Sequence, residues 1–583
     1  MTDYLTLAGT ALNKQPRQLF GVATRTLKSS VLPRLPIDID GRYERLVPED
    51  LTTHTKSIHE NTVRLQNSTI NKRNKYAQDA ASVLNGDICF LNETVSFENG
   101  RSISLDSPEV MEQSLHWKLK CWGFEHLKPI WLTALEPSEF SDNDIAIHRS
   151  WLNEWMGDHP IAADSQYLRR YWMPHSVCLR ILNWARYDSL FASRLNESFR
   201  EDIRRFVYKN AAFLSDNVEH GVGGNHLIEN AVALVVAGSY FQHDSWLTQG
   251  QQILRRAATE QFFDDGGHVE RSPMYHLIVT QRYLTSADLL ASADRSTDII
   301  TTTAKEAVKF AGAIRPPDGE IPLLNDSVLN EALSIDGLRQ YADACGLKHF
   351  SSGGFQQQNC PETGYYWLGN EDDCLLAVGG ELAVEHLPAH AHAHPAQVLV
   401  WVDGYRILTD TGVFEYATGD ARHYARSVRS HNTVQVDDIE PVRIGNSFYW
   451  FGNVATNVKW NDHKLTISYD VDRIGRSSYT HKRVVKFDPD GWTIVDDIEG
   501  IGSMATIRFH VHPDLTAVVD NDRVHIMDTT ADDRILNIRF TSEENITVET
   551  APYSPRYGVS QERDVVTVSR WESGQIETFL ELC

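Results

Sequence analysis

The sequence predicts a two-part α and β chain: paired antiparallel helices, as a bundle or an incomplete (α/α) toroid, followed by a large antiparallel β-sandwich. Three observations carry this. The chain has 583 residues, too many for one core, because single cores stop growing near about 250–300 residues. Apolar residues recur with a helical period from about residue 110 to 345. Past about residue 350 the period falls to two.

Residues 1–75 carry little periodic signal and read as a polar leader. The helical segment is placed at 76–350. "LHWKLKCWGFEHLKPIWLTAL" sets Leu115, Leu119, Trp122 and His126 on neighbouring turns, and "NHLIENAVALVVAGSYF" and "YHLIVTQRYLTSADLLASA" keep the same period. Short Gly, Asp and Pro loops between helices of similar length suggest antiparallel pairs. "SSGGFQQQNCPETG" is a polar, Gly-containing junction. The β segment is placed at 351–583. "AQVLVWVDGYRILTDTG", "KLTISYDV" and "ATIRFHVHP" alternate, and Asp403-Gly404 and Asp490-Gly491 mark turns. Such strands pack as two sheets face to face.

Composition excludes some functions. A net charge of -24 opposes general affinity for nucleic acid, for an anionic membrane or for any polyanion, unless one cleft is locally basic. The 7 cysteines include no CxxC pair, which reads as reduced thiols and not a disulfide framework. The opening residues lack a basic stretch followed by an apolar one, and no apolar run is long enough to span a bilayer. The default compartment is therefore the cytoplasm, with periplasmic placement or non-classical secretion as the alternatives. The 14 Trp and 21 Tyr offer flat faces with polar tips that suit sugar rings, although most aromatics simply fill cores.

Four places put reactive polar residues where packing does not ask for them. In "GVGGNHLIEN", Asn225 and His226 open a helix behind a Gly-rich loop. Asn225 is a natural N-cap, and capping alone would explain it. The functional alternative is that the loop admits substrate and that Glu229, one turn on, orients His226. In "DDGGHVERSPMYH", Ser272-Pro273 starts a helix with Tyr275 in its first turn, near Arg271. In "HAHAHP", His390, His392 and His394 share one strand face. That face is either a polar edge or, with Asp410 and His431 from other segments, a donor set suited to zinc. In "YATGDARHYARSVRSHN", Arg422, Arg426 and Arg429 crowd together in an acidic chain. They are either a solvated basic loop or an oxyanion-binding cleft, since Arg forks match oxyanions.

These four motifs, in this order and straddling a helix-to-strand switch, resemble the heparinase II/III family of polysaccharide lyases. The resemblance runs from about residue 110 onward, with the last hundred residues fitting by strand texture only. It implies an incomplete α/α toroid and a β-sandwich with the active site between them. It implies β-elimination on a uronic-acid-containing, sulfated or unsulfated polysaccharide, giving a 4,5-unsaturated uronate end. Asn225 then matches the residue that neutralises the uronate carboxylate, and Tyr275 and His390 match the catalytic pair. His226 joins them in the expected catalytic set. Glu229, Arg271, Arg422 and Arg426 are the expected substrate contacts. His392, Asp410 and His431 match positions that hold a structural zinc. The expected partner is an acidic polysaccharide, with the chain a monomer or homodimer. One position departs: the family pattern is H-x-H-x-D, and His394 stands at the Asp. If that Asp orients its neighbour, its loss bears on activity or substrate preference and not on the fold. Two rivals remain: a polysaccharide-binding or biosynthesis protein on the same fold, and a glycoside hydrolase using a carboxylate pair drawn from Asp264, Asp265 and Glu270.

Overall fold

A computed structural model describes residues 13–98, 102–134, 140–162, 167–347, 357–472, 478–500, 504–528, 533–541, 545–571 and 573–583. The helical part contains α1 (Pro16–Val31), α2 (Thr55–Ser68), α3 (Leu115–Trp122), α4 (Pro174–Phe191), α5 (Glu197–Asp216), α6 (Gly224–Phe241), α7 (Asp244–Glu260), α8 (Pro273–Ser292), α9 (Asp298–Ala313) and α10 (Ile335–Ala344). Sequence chemistry sorts them into two layers. In α6, Leu227, Ile228 and Ala231 through Ala237 are all buried, so the helix is apolar around most of its circumference and belongs inside. Helix α4 is buried almost throughout. By contrast α5 buries Phe199, Ile203, Phe206 and Val207 on one stripe, and α7 buries Trp246, Ile253 and Leu254. These amphipathic helices cover the inner ones: α5 packs on α4, α7 on α6 and α9 on α8, while α6 touches both α4 and α8. That is toroid packing, with α4, α6 and α8 inside.

The expected polar leader is instead largely helical over its described residues, 13–75. Helices α1 and α2 and a short helix at Ile39–Glu44 occupy it, and α2 packs against α4 and α10. Apolar periodicity misses α2 because polar bonds share its burial with Ile58 and Leu65. Gln66 donates to the carbonyls of Trp131 and Ala134, at 2.5 and 3.0 Å, and Asn61 donates to Asp288 at 2.7 Å. Buried polar groups are tolerable once bonded.

The β part holds β1 (Tyr365–Gly369), β2 (Cys374–Val378), β3 (Val398–Val402), β4 (Tyr405–Leu408), β5 (Val434–Val436), β6 (Thr456–Asn461), β7 (Lys464–Val471), β8 (Tyr479–Asp488), β9 (Gly491–Glu499), β10 (Met504–His510), β11 (Leu515–Asp520), β12 (Arg523–Asp528), β13 (Asp533–Phe540), β14 (Asn545–Tyr553), β15 (Gln561–Trp571) and β16 (Gly574–Leu582). One sheet has the order β6-β7-β8-β9-β16-β13-β12-β11, a second β14-β15-β10-β5, and a third β1-β2-β3-β4. Every strand pair in them is antiparallel. Alternation does the work: β7 reads exposed-buried along its length, with Leu465, Ile467, Tyr469 and Val471 inward. Those residues share one core with Val400, Ile494, Ile507 and Val566 from the other strands.

Polar stitches join the two parts. The Thr363 amide and hydroxyl both donate to Asp265 at 2.7 Å, and Tyr365 donates to the carbonyl of Arg271 at 2.7 Å. The junction residues 348–356 lie outside the described residues. All seven cysteines are free, with Cys89 and Cys583 exposed. Among the described residues no helix is long and apolar enough to cross a membrane.

Candidate active site

Tyr275 and His390 meet where the two parts face each other. Ser272 accepts from the Tyr275 amide at 3.3 Å and caps α8, which fixes Tyr275 in the first turn. His390 comes from the loop before β3. The two rings stack with centroids 4.0 Å apart. The Tyr275 hydroxyl lies 3.0 Å from that of Tyr416, which accepts from Tyr557 at 2.7 Å. Burial raises the Tyr275 phenol above its ordinary range, so it holds its proton.

Asp326, from the segment between α9 and α10, is the hub. His390 Nδ1–H donates to its Oδ2 at 2.8 Å, and His392 Nε2–H donates to its Oδ1 at 2.9 Å. Arg422, on the short helix α11 (Asp420–Arg426), grips the same carboxylate with both terminal nitrogens. Burial alone would raise this carboxyl, but Arg422 and the two imidazoles hold it well below the usual range. With Nδ1 committed to Asp326, His390 presents Nε2 as its basic atom. That Nε2 lies 4.0 Å from Glu270 Oε1.

The helical wall supplies the opposite side. Gly223 and Gly224 have φ of +75 and +54, and a Cβ on Gly224 would lie 2.2 Å from Glu270 Oε1. The glycines therefore make room for Glu270, which accepts from the Asn225 amide. Gly223 is the N-cap, so Asn225 sits inside the first turn of α6 and does not cap it. Its carboxamide has no hydrogen-bond partner among the described residues. His226 Nδ1 pairs with Glu219 at 3.1 Å. Burial lowers the His226 pKa, but the adjacent Glu219 carboxylate outweighs it and the net shift is upward. His175 lies 4.9 Å from the His226 ring, and His116 lies 5.3 and 5.6 Å from the rings of Tyr416 and Tyr557. Burial lowers His175 to about 4.

Tyr275 and His390 are thus in direct contact, and Glu270 links them to the start of α6, where Asn225 and His226 stand. Three expected substrate contacts are placed otherwise. Glu229 is buried on α6 and takes Arg282 Nε at 2.8 and 2.9 Å; Glu219, not Glu229, orients His226. Arg271 donates to the Thr363 carbonyl at 3.0 Å and stitches the two parts together. Arg426 is buried beneath the loops, bonding the carbonyls of Pro388, Ala391, Asn446, Ser447 and Tyr449. Arg422 borders the site, 4.9 Å from the Tyr416 ring, but its charge is committed to Asp326. Glu219, Asp326, His116, His175, Tyr416 and Tyr557 escape sequence reasoning. The only textual trace is polar residues in apolar surroundings, such as Asn325-Asp326 in "LLNDSV". The hydrolase pair is not assembled, since Asp265 is tied to Thr363 and Asp264 is exposed.

Burial raises the Glu270 pKa, favouring the protonated acid. Glu270→Gln, neutral at every pH, should keep activity and extend it to higher pH. Wild-type activity should fall as pH rises through the raised Glu270 value. Glu270→Ala should lose about tenfold or more. A pH–rate profile checks this; loss of activity in the Gln variant equal to that in Ala would refute it.

Behind His390, His392, His394, Asp410 and His431 are all buried. His394 Nε2–H donates to Asn325 Oδ1 at 2.8 Å, and His431 Nδ1–H donates to Asp410 Oδ1 at 2.6 Å. As the side chains stand, no group of three or more His, Cys, Asp or Glu among the described residues forms a ready metal cage. Yet His392 Nδ1, His394 Nδ1, Asp410 Oδ2 and His431 Nε2 are all buried without a hydrogen-bond partner. Unbonded ring nitrogens also occur on His126, His148, His268, His276 and His510, so by themselves they do not mark a metal site.

Residues 49–348 match the family model described as Heparinase II/III N-terminus, and residues 353–575 that described as Heparinase II/III-like, C-terminal. A heparin-sulfate lyase of Pedobacter heparinus is 22% identical over 484 residues, spanning 76% of this chain and 69% of the relative. A heparin-sulfate lyase of Bacteroides stercoris is 22% identical over 317 residues, spanning 49% of this chain and 46% of the relative. A crystal structure of heparinase III superposes with a TM-score of 0.70 at 17% identity, over 87% of this chain and 84% of that one. A mutant chondroitin AC lyase of Streptomyces coelicolor A3 gives 0.51 at 10% identity, over 97% of this chain and 83% of that one. At those identities the structural likeness speaks for the fold. The two family models cover most of the length, and the chain belongs to the heparinase II/III family of polysaccharide lyases.

Proposed function

We propose that the chain cleaves a uronate-containing polysaccharide by β-elimination. The observation that carries this is the stacked Tyr275–His390 pair with His390 Nδ1 held on Asp326. His390 Nε2 takes the C5 proton of the uronate. The released electron pair forms the C4–C5 double bond, and the C4–oxygen bond breaks. Tyr275, protonated by virtue of burial, gives its proton to the leaving oxygen. Proton return from His390 to the phenolate restores both residues. The C5 proton is hard to remove beside a charged carboxylate. Asn225, Glu270, whose neutral form burial favours, and His226, whose charged form Glu219 favours, supply donors where that charge develops. Preorganised donors of this kind are typically worth about 3–4 kcal/mol each.

The same reading puts a zinc ion among His392, Asp410 and His431. When bound, it supplies a cross-link between the loops behind His390.

The test is ultraviolet absorbance of products from a panel of uronate polysaccharides, sulfated and unsulfated. A lyase yields an absorbing unsaturated uronate. New reducing ends without absorbance would mean hydrolysis, and binding without any product would favour a polysaccharide-binding role.

A further inference from the structure

We infer that Phe448 is a stacking surface for a sugar ring beside the cleaved bond. This deepens the proposed function and rests on its reading that the cleft binds a polysaccharide. Phe448 is 44% exposed. Single exposed apolar residues are ordinary on protein surfaces, so exposure alone counts for nothing. The position and the support of this ring are what matter. It stands edge-on to the His390 ring, with centroids 6.5 Å apart and planes at 85°. It also lies 5.6 Å from the ring of Tyr416, whose hydroxyl meets that of Tyr275. Phe448 therefore borders the two residues that do the chemistry.

The ring sits at the tip of a short hairpin. Arg443–Ile444 pairs antiparallel with Trp450–Phe451, and the Gly445 amide donates to the Tyr449 carbonyl at 3.0 Å. The root is fixed: Trp450 is buried, with the Arg426 guanidinium 5.4 Å from its ring. The tip is fixed as well. Arg426 donates to the carbonyls of Asn446, Ser447 and Tyr449 at 3.1, 3.2 and 3.2 Å, and Arg422 Nε donates to that of Ser447 at 3.0 Å. Both guanidiniums are buried, where a charge is costly unless its donors are satisfied. A surface turn needs no such anchorage for its own sake. Here it holds the backbone still while Phe448 faces solvent. Arg422 also grips Asp326, the carboxylate that orients His390. One side chain thus sets the catalytic imidazole and the aromatic ring in a common frame. Phenylalanine has no polar tip, so what it fits is the C–H face of a pyranose and not its hydroxyls or sulfates.

Phe448→Ala should raise KM for the cleaved polysaccharide about three- to tenfold and leave kcat little changed. Added to the Tyr275→Phe chain, it should weaken equilibrium binding of the same polysaccharide by the same factor. Phe448→Trp should bind as well as wild type, whereas Phe448→Leu, apolar but not flat, should behave like the Ala variant. The unfolding temperature should not move, because the ring is exposed. Unchanged KM and affinity in Phe448→Ala, or full binding in Phe448→Leu, would overturn the stacking role. A chain that binds the polysaccharide more weakly with Phe448→Ala, yet forms no ultraviolet-absorbing product as wild type, would overturn β-elimination and leave the stacking surface standing.

Discussion

Tyr275→Phe is expected to lower product formation by about a hundred- to ten-thousand-fold while leaving polysaccharide binding and folding nearly intact. The range is that of a positioned general acid. The expectation of an intact fold comes from the contacts. The hydroxyl's hydrogen bond is to Tyr416, itself bonded to Tyr557, so removing it costs about 1 kcal/mol. The ring remains to stack on His390. The rate of ultraviolet-absorbing product and the affinity for the same polysaccharide are the two readouts. Unchanged turnover would remove Tyr275 from the mechanism.

Asp326→Ala is expected to have the largest effect on stability. It strands the buried Arg422 guanidinium and frees two imidazoles at once. Breaking one side of a buried ion pair costs about 3–5 kcal/mol, on the order of 10 °C in unfolding temperature for a large domain. The sign with pH follows from the depressed Asp326 pKa. Its contribution is present in full above the unfolded carboxylate value near about 4. It is lost as pH falls through the much lower folded value, so the gap between wild type and variant should narrow in acid. Asp326→Asn separates position from charge. It keeps the shape but no longer fixes His390 with Nε2 unprotonated, so kcat should drop with little change in KM. A variant that loses affinity and keeps kcat would show that Asp326 serves the substrate and not His390.

The sequence marked the reactive side chains better than their supports. Asn225, Tyr275 and His390 stand in short motifs with glycines, a Ser-Pro helix start and alternating histidines beside them. Asp326 stands in no such motif, because it becomes a support only through His390, His392 and Arg422, far from it in sequence, and Glu219 lies just outside the Gly-rich stretch whose His226 it orients. The arginines misled for a related reason. Clustered cations in an acidic chain look free in one dimension, yet Arg426 is spent on five backbone carbonyls and Arg271 on the interface between the two parts. The fold was legible wherever one face was apolar, as in α5 or β7. It was not legible in α2, whose buried Gln66 and Asn61 disguise a packed helix as a polar leader. His394, which departs from the family pattern, is buried with Asn325 as its acceptor, a partner far from it in sequence.

The central claim is that this cleft breaks a C4–oxygen bond by elimination, without water entering the product. Digestion in water enriched in heavy oxygen, with mass and ultraviolet analysis of the fragments, tests it most directly. The account predicts fragments that absorb in the ultraviolet and whose masses, with the reducing ends reduced promptly before exchange, show no water added across the cleaved bond. Fragments that carry heavy oxygen at a new reducing end and do not absorb would contradict it.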